Sequence, residues 1–393
     1  MAWLWRLLAA LLLAERLLKH LAVVRFFRRP PARFERQPGL VSIMQPILSG
    51  DPALAACLGR NLEARSGYER EFIWLIDDDD AEARRVCEGL AARRPDLAIR
   101  VIALPPPPPE HNPKLAKLIA GAALARGEVL CVLDDDTVLP DGGLELCLPH
   151  LDRPGVGLAF GLPFYTSFDN LWSSLVACFV NSSSLMTYIP FATAREPVTI
   201  NGMFYALRRE TLDAVGGFVG LERVVADDFA VASRLRDHGY RLAQTPLLHP
   251  IRTTVRGPRH YAGLIQRWLI FPRESLMRHL APGELAAFYG LVAAPVCFPW
   301  LAAAAPLVRP GPAARRFALG YFALSYAIFA HHNRAYLGSA VPWRRSWLVP
   351  LVQLALPAQT LAALLAPRRI VWRGHVLRVE RGGELRLVRR RAP

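Results

Sequence analysis

No two cysteines in this chain stand as Cys-x-x-Cys. The six thiols (Cys57, Cys87, Cys131, Cys147, Cys178 and Cys297) are scattered through 393 residues. That spacing argues against a structural zinc site and a disulfide scaffold. It is read instead as buried reduced thiols, which suits a cytosolic setting. Acidic residues are also scarce: 33 Asp and Glu stand against 48 Lys and Arg, a net charge of +15. A basic chain points to nucleic acid or to a membrane surface. No basic stretch is interleaved with aromatics on a predicted sheet, which argues against nucleic acid. With 52% hydrophobic residues, the composition favours a membrane.

The N-terminal segment lacks a long uncharged run. In "MAWLWRLLAALLLAERLLKHLAVVRFFRR" the uncharged stretch Leu7–Ala14 is too short to cross a bilayer. Extended to Val24 it takes in Glu15, Arg16 and Lys19. It either spans with snorkelling charges or lies in the interface. No small-residue cleavage site follows, so it is not read as a cleaved leader. The arginines at 25–29 predict a cytoplasmic location for what comes next.

From about Gln37 to Pro250 strand and helix signals alternate. "LVSIMQPIL", "EFIWLID", "AIRVIAL" and "VLCVL" read as strands. Helical patterns lie between them, the first with Asp51 as its cap. Such alternation predicts a mostly parallel sheet, with ligands beyond the carboxyl ends of its strands. After Pro250 the chain turns basic and aromatic, then strongly apolar over Leu285–Val308, Phe317–Ala330 and Trp347–Ala366. The first and last are long enough to span, and the middle one is marginal. Five sections follow: a membrane anchor or interfacial helix at 1–35, an α/β domain at 36–255, an interfacial segment at 256–284, a transmembrane region at 285–367 and a basic tail at 368–393. Span number and the side of the tail stay open, as does the oligomeric state.

Two strands end in acid: Asp77–Asp80 and Asp134–Asp136. A strand-end Asp-x-Asp can hold Mg²⁺ or Mn²⁺ on one carboxylate and a ribose or metal-bound water on the other. It also reads as a solvated turn. Asp227 and Asp228 precede a helical pattern, where they either favour its N-terminus or supply a general base. "QRWLIFPR" places Arg267 and Trp268 beside the apolar region, as interfacial anchors or as a diphosphate clamp and an acceptor contact.

The order of these pieces resembles the membrane glycosyltransferases of GT-A fold, most closely the ceramide glucosyltransferase family. "VSIMQPILSGDPALAACLGRNL", "NPKLAKL", "VGLAFGLPF", "NGMFYALRRETLDAVGGF", "ADDFAVASRLRDHGYRL" and "IVWRGHVLRVERGG" follow in that family's order. The resemblance implies an α/β GT-A catalytic domain between N-terminal and C-terminal membrane helices. It implies an inverting transfer from a UDP-sugar to the hydroxyl of a membrane lipid, glucose to ceramide in the first instance. UDP-GlcNAc and a hopanoid are the alternative pair. By the same carry-over, Asp77, Asp79, Lys114, Asp134, Asp136 and Arg267 bind the nucleotide sugar. Asp134 and Asp136 hold Mg²⁺ or Mn²⁺. Gly202, Met203, Asp227 and Trp268 face the acceptor, and Asp228 is the base. The implied enzyme sits in a bilayer, the bacterial inner membrane by this reading, with its catalytic domain on the cytoplasmic side.

The chain departs from the family pattern twice. Leu264 stands where the motif ending in Arg267-Trp268 opens with Gln or Arg, and Gln266 is out of register. "NSSSLMTYI" lacks the expected histidine. More remote alternatives are a haloacid-dehalogenase-like phosphatase and a non-enzymatic membrane scaffold.

Overall fold

The computed structural model describes residues 2–34, 37–372 and 375–389. Strands β1 (Val41–Pro46), β2 (Arg70–Asp77), β3 (Ala98–Leu104), β4 (Val129–Leu133), β5 (Val156–Tyr165), β6 (Phe204–Arg208) and β7 (Arg241–Ile251) form one sheet, ordered β3-β2-β1-β4-β6-β5-β7. All pairings are parallel except the two made by β6. β4 throughout and β2 from Phe72 to Ile76 are apolar because both faces are covered. Val41, Ile43, Phe72, Trp74, Val129 and Cys131 pack on one face. Met44, Ile73, Leu75, Leu130 and Val132 pack on the other.

Helices α1 (Ala2–Phe27), α2 (Leu54–Glu63), α3 (Ala81–Ala92), α4 (Pro113–Leu124), α5 (Gly143–Cys147), α6 (Leu171–Ala194), α7 (Arg209–Ala214), α8 (Asp227–Asp237) and α9 (Pro258–Glu274) lie between and beyond the strands. α4 starts where its sequence dictates. Asn112 accepts from the amides of Lys114 and Leu115, and Pro113 occupies the first turn. α2 differs from the sequence expectation. Its N-cap is Ala53, and the Asp51 side chain instead accepts from the amides of Ala53 and Thr254. Asp51 thus ties the loop after β7 to the loop after β1.

The crossover into β4 leaves no room beside Gly127. A Cβ there would lie 2.6 Å from the Ser42 amide nitrogen and 2.8 Å from the Leu40 carbonyl. Gly127→Ala is therefore expected to destabilise the fold by about 1–3 kcal/mol, checked by thermal unfolding in detergent. An unchanged midpoint would show that β1 and β4 can part at this point.

Among the described residues two helices are long and apolar enough to cross a membrane, Leu171–Ala194 and Trp343–Leu365. The first of these, α6, departs from the sequence expectation: the run contains Ser174, Asn181 and Ser184 and reads as part of the catalytic domain. More than half of it is buried, against β5 and α1. The apolar segment Leu285–Val308 falls on a helix pair, Pro282–Val296 and Phe298–Val308, bent by 51° at the intervening Cys297. Five thiols are buried as expected, but Cys297 at this break is exposed. The basic C-terminal segment is folded: β8 (Arg369–Trp372), β9 (His375–Val379) and β10 (Leu385–Arg389) make an antiparallel sheet. Residues 373–374 and 390–393 of that segment lie outside the described residues.

Candidate active site

β1 leads away to β2 on one side, and β4 is its neighbour on the other. The crevice at their carboxyl ends is the switch point of the sheet. The acidic runs meet there, and each carboxylate has a separate environment. Asp77 ends β2, is 3% exposed and pairs with Lys117 at 3.2 Å. Lys117 also donates to the Ile47 carbonyl beyond β1. Asp78 and Asp79 are exposed in the turn. Asp80 caps α3 through the Ala83 amide and accepts from the Ser49 amide. Of this run, Asp77 is the residue built into the crevice wall, while Asp79 stands at its open edge.

Past β4, Asp134 donates its amide to the Met203 carbonyl, and its carboxylate lies 2.7 Å from Lys114 Nζ. Asp135 accepts from the Leu48 amide at 2.7 Å, joining the ends of β4 and β1. Asp136 has its carbonyl held by the Arg252 amide, while its carboxylate meets the Thr137 hydroxyl at only 3.4 Å. Burial pushes the Asp136 carboxyl well above its usual range, and the charges of Asp135, Asp134 and Asp51 push it further. Burial likewise raises Asp135 to about 7. The cluster carries more negative charge than the site neutralises.

Among the described residues no three His, Cys, Asp or Glu side chains gather as a metal-ligating group. The donor set still fits a small hard dication. Mg²⁺ is commonly held by one or two carboxylates, with substrate phosphates and water completing its shell. Asp136, nearly free of hydrogen-bond donors, is the carboxylate suited to such an ion. Asp134 is shared with Lys114.

Lys114 joins the two halves of the site. It sits in the first turn of α4, 2.7 Å from Asp134 and 3.0 Å from Asp227, and donates to the Gly202 carbonyl at 2.8 Å. Asp227 and Asp228 are the first residues of α8. Burial, then the adjacent Asp227, push the Asp228 carboxyl up to about 7. Gly202 is small for a local reason. A Cβ there would lie 2.8 Å from the Asp228 Cβ. Gly202→Ala is expected to displace Asp228 and lower kcat by roughly 10–100-fold with the fold retained. Turnover measured beside a thermal-unfolding curve checks this; a wild-type kcat would show that Asp228 is not held by this contact.

The far wall comes from α9. Arg267 bears electrostatically on Asp134 and on Tyr165. The Trp268 ring packs against Phe179 and Tyr165, each with a centroid distance of 6.2 Å. Leu264 lies one turn before Trp268 and joins the same apolar cluster. Gln266 points elsewhere and donates to the Pro367 carbonyl. It does not take the place of the residue missing at 264.

Sequence reasoning missed two residues here. Tyr165, at the end of β5, is 3% exposed and forms the wall facing Trp268. Asn181 fixes it, accepting from the Tyr165 amide at 2.7 Å and donating to its carbonyl at 2.9 Å. The available signal was a lone buried-type Asn in an otherwise apolar and serine-rich helix.

The family model described as glycosyl transferase family 21 matches residues 3–385. The chain belongs to glycosyl transferase family 21. This is the ceramide glucosyltransferase family, the one the ordered motifs resemble. The family 21 chain is also similar to a solved structure, the mannosyltransferase PcManGT from Pyrobaculum calidifontis in complex with GDP-Man and Mn²⁺. The match has a TM-score of 0.53 at 18% identity, over 91% of this chain and 96% of that one. At that identity the likeness carries the fold, a GT-A-like mixed α/β architecture with a seven-stranded, mostly parallel sheet. Family membership makes this chain a glycosyltransferase and sets aside the phosphatase and scaffold readings.

Proposed function

We propose that this glycosyltransferase moves a hexose, glucose in the first instance, from a UDP-sugar to the hydroxyl of a membrane lipid such as ceramide, with inversion at the anomeric carbon. The observation that carries the reading is the bridge made by Lys114. It draws the strand-end acids of β4 and the helix-start acids of α8 to one crevice. A donor diphosphate lying over β4 would place its sugar toward Asp228.

A Mg²⁺ or Mn²⁺ ion, when bound, would offset the charge of the departing diphosphate. Asp136, with Asp134, would hold it. Asp77 is assigned to the nucleoside and Arg267 to the diphosphate. Asp228 takes the proton of the acceptor hydroxyl as that oxygen attacks the anomeric carbon from the opposite face. Trp268, Phe179 and Tyr165 offer the acceptor an apolar wall. The mannosyltransferase with Mn²⁺ supports the divalent ion. Buried thiols and the net charge of +15 support placing the catalytic domain on the cytoplasmic face of the membrane.

The raised Asp228 gives the reading a pH signature. The base works deprotonated, so activity falls as pH drops through its pKa. We expect log kcat/KM to decline below a midpoint at or under about pH 7, with a slope of one. With Mn²⁺ saturating, so that Asp136 stays deprotonated, the limb should vanish in the residual activity of Asp228→Asn. An identical limb in that variant would move the titrating group elsewhere.

A further inference from the structure

At the opposite end of the sheet from the acidic crevice lies a cavity of about 330 Å³. It opens where β5 and β7 begin, at Val156 and Arg241, which pair in register. The ends of α1 and α6 close its other sides. Four arginines line it: Arg29, Arg153, Arg195 and Arg241. One carboxylate, Glu196, faces them and reaches Arg241 at 3.4 Å. A cavity with four guanidinium groups and one carboxylate is short of negative charge, and guanidinium forks match phosphate oxygens bidentately.

The rest of the lining and the neighbouring helix bear on what the cavity admits. Gln244 is also among its lining residues, with its side-chain amide nitrogen donating to the Phe160 and Thr245 carbonyls. The back wall is apolar and includes Phe26, in the last turn of α1. Along α1, Leu7, Leu11, Leu18 and Leu21 are exposed. Arg25 lies in its last turn, and Arg28 and Arg29 follow directly. A lipid-facing leucine stripe ending in arginines places this end at headgroup depth. Partial desolvation, then the charges of Arg29 and Arg241, lower the Arg153 guanidinium from its ordinary range.

We infer that this arginine cavity binds the phosphate of an anionic lipid headgroup, at a site separate from the sugar-transfer crevice. Such a site would serve whichever sugar and acceptor the enzyme uses. The test is binding to the whole chain purified in a neutral detergent. The probes are dioleoyl-phosphatidylglycerol, dioleoyl-phosphatidylcholine and inorganic phosphate. Phosphatidylglycerol should bind well above phosphatidylcholine. Arg29→Ala/Arg153→Ala should weaken it by on the order of tenfold or more. Arg315→Ala/Arg316→Ala, which removes two exposed arginines on another helix, should not. Were the double variant to misfold by thermal unfolding, Arg153→Gln alone should still weaken phosphatidylglycerol measurably. Equal affinity in the cavity variants and the wild type would overturn the site. Inorganic phosphate binding as tightly as the lipid would overturn the headgroup assignment.

Discussion

Asp228→Asn is expected to lower sugar transfer by roughly 10²–10⁴-fold while leaving nucleotide binding intact. The substitution keeps the shape and the helix-start position. The oxygen of the introduced carboxamide can still accept from the Phe229 amide, as Asp228 does at 2.8 Å. What is lost is the group that receives the hydroxyl proton. The replacement also removes a negative charge beside Asp227, so Lys114 should hold Asp134 at least as firmly. A fall in kcat with an unchanged Kd for UDP and Mn²⁺ is the expected pattern. A fall in both would assign Asp228 to donor binding, and transfer at the wild-type rate would remove it from the chemistry.

The second large effect concerns the acids after β4. Metal-dependent UDP binding should be abolished in Asp136→Ala and retained in Asp135→Ala. The two residues are adjacent but differently placed. Asp135 is engaged by the Leu48 amide, so its loss should loosen the loop after β1 and lower stability modestly. Asp136 has only a long contact to the Thr137 hydroxyl, and burial with three neighbouring acids raises its pKa. In the absence of a cation that arrangement is unfavourable. Removing Asp136 should therefore raise thermal stability without metal while eliminating the Mn²⁺-induced gain. Titration of UDP with and without Mn²⁺ on both variants separates these roles. Loss of binding in Asp135→Ala with retention in Asp136→Ala would reverse the assignment.

The parts of this site legible in the sequence are those where local chemistry is extreme. Apolar runs buried on both faces mark β2 and β4, and acids ending such runs sit where a buried carboxylate is costly without a partner. The Asn-Pro-Lys segment announces a capped helix, and its Lys114 becomes the bridge between distant acids. Non-local pairings left weaker marks. β6 enters antiparallel between β4 and β5, which no strand-by-strand reading could order. Asp51 looks like a helix cap because it sits just before α2, yet its carboxylate serves the loop at Thr254. α6 hides its apolar length behind serines and Asn181, and that asparagine matters because Tyr165, from β5, lies beside it. The arginine cavity draws on four separated segments, each of which reads alone as ordinary surface charge.

The most direct test of the account is transfer itself. The protein in detergent, given Mn²⁺, radiolabelled UDP-glucose and ceramide, should yield a labelled, chloroform-soluble glycolipid with a β linkage. Parallel arms with UDP-GlcNAc and hopanoid acceptors would redirect the donor and acceptor assignment if they alone gave product. Folded protein that neither binds UDP with Mn²⁺ nor labels any lipid would contradict the account.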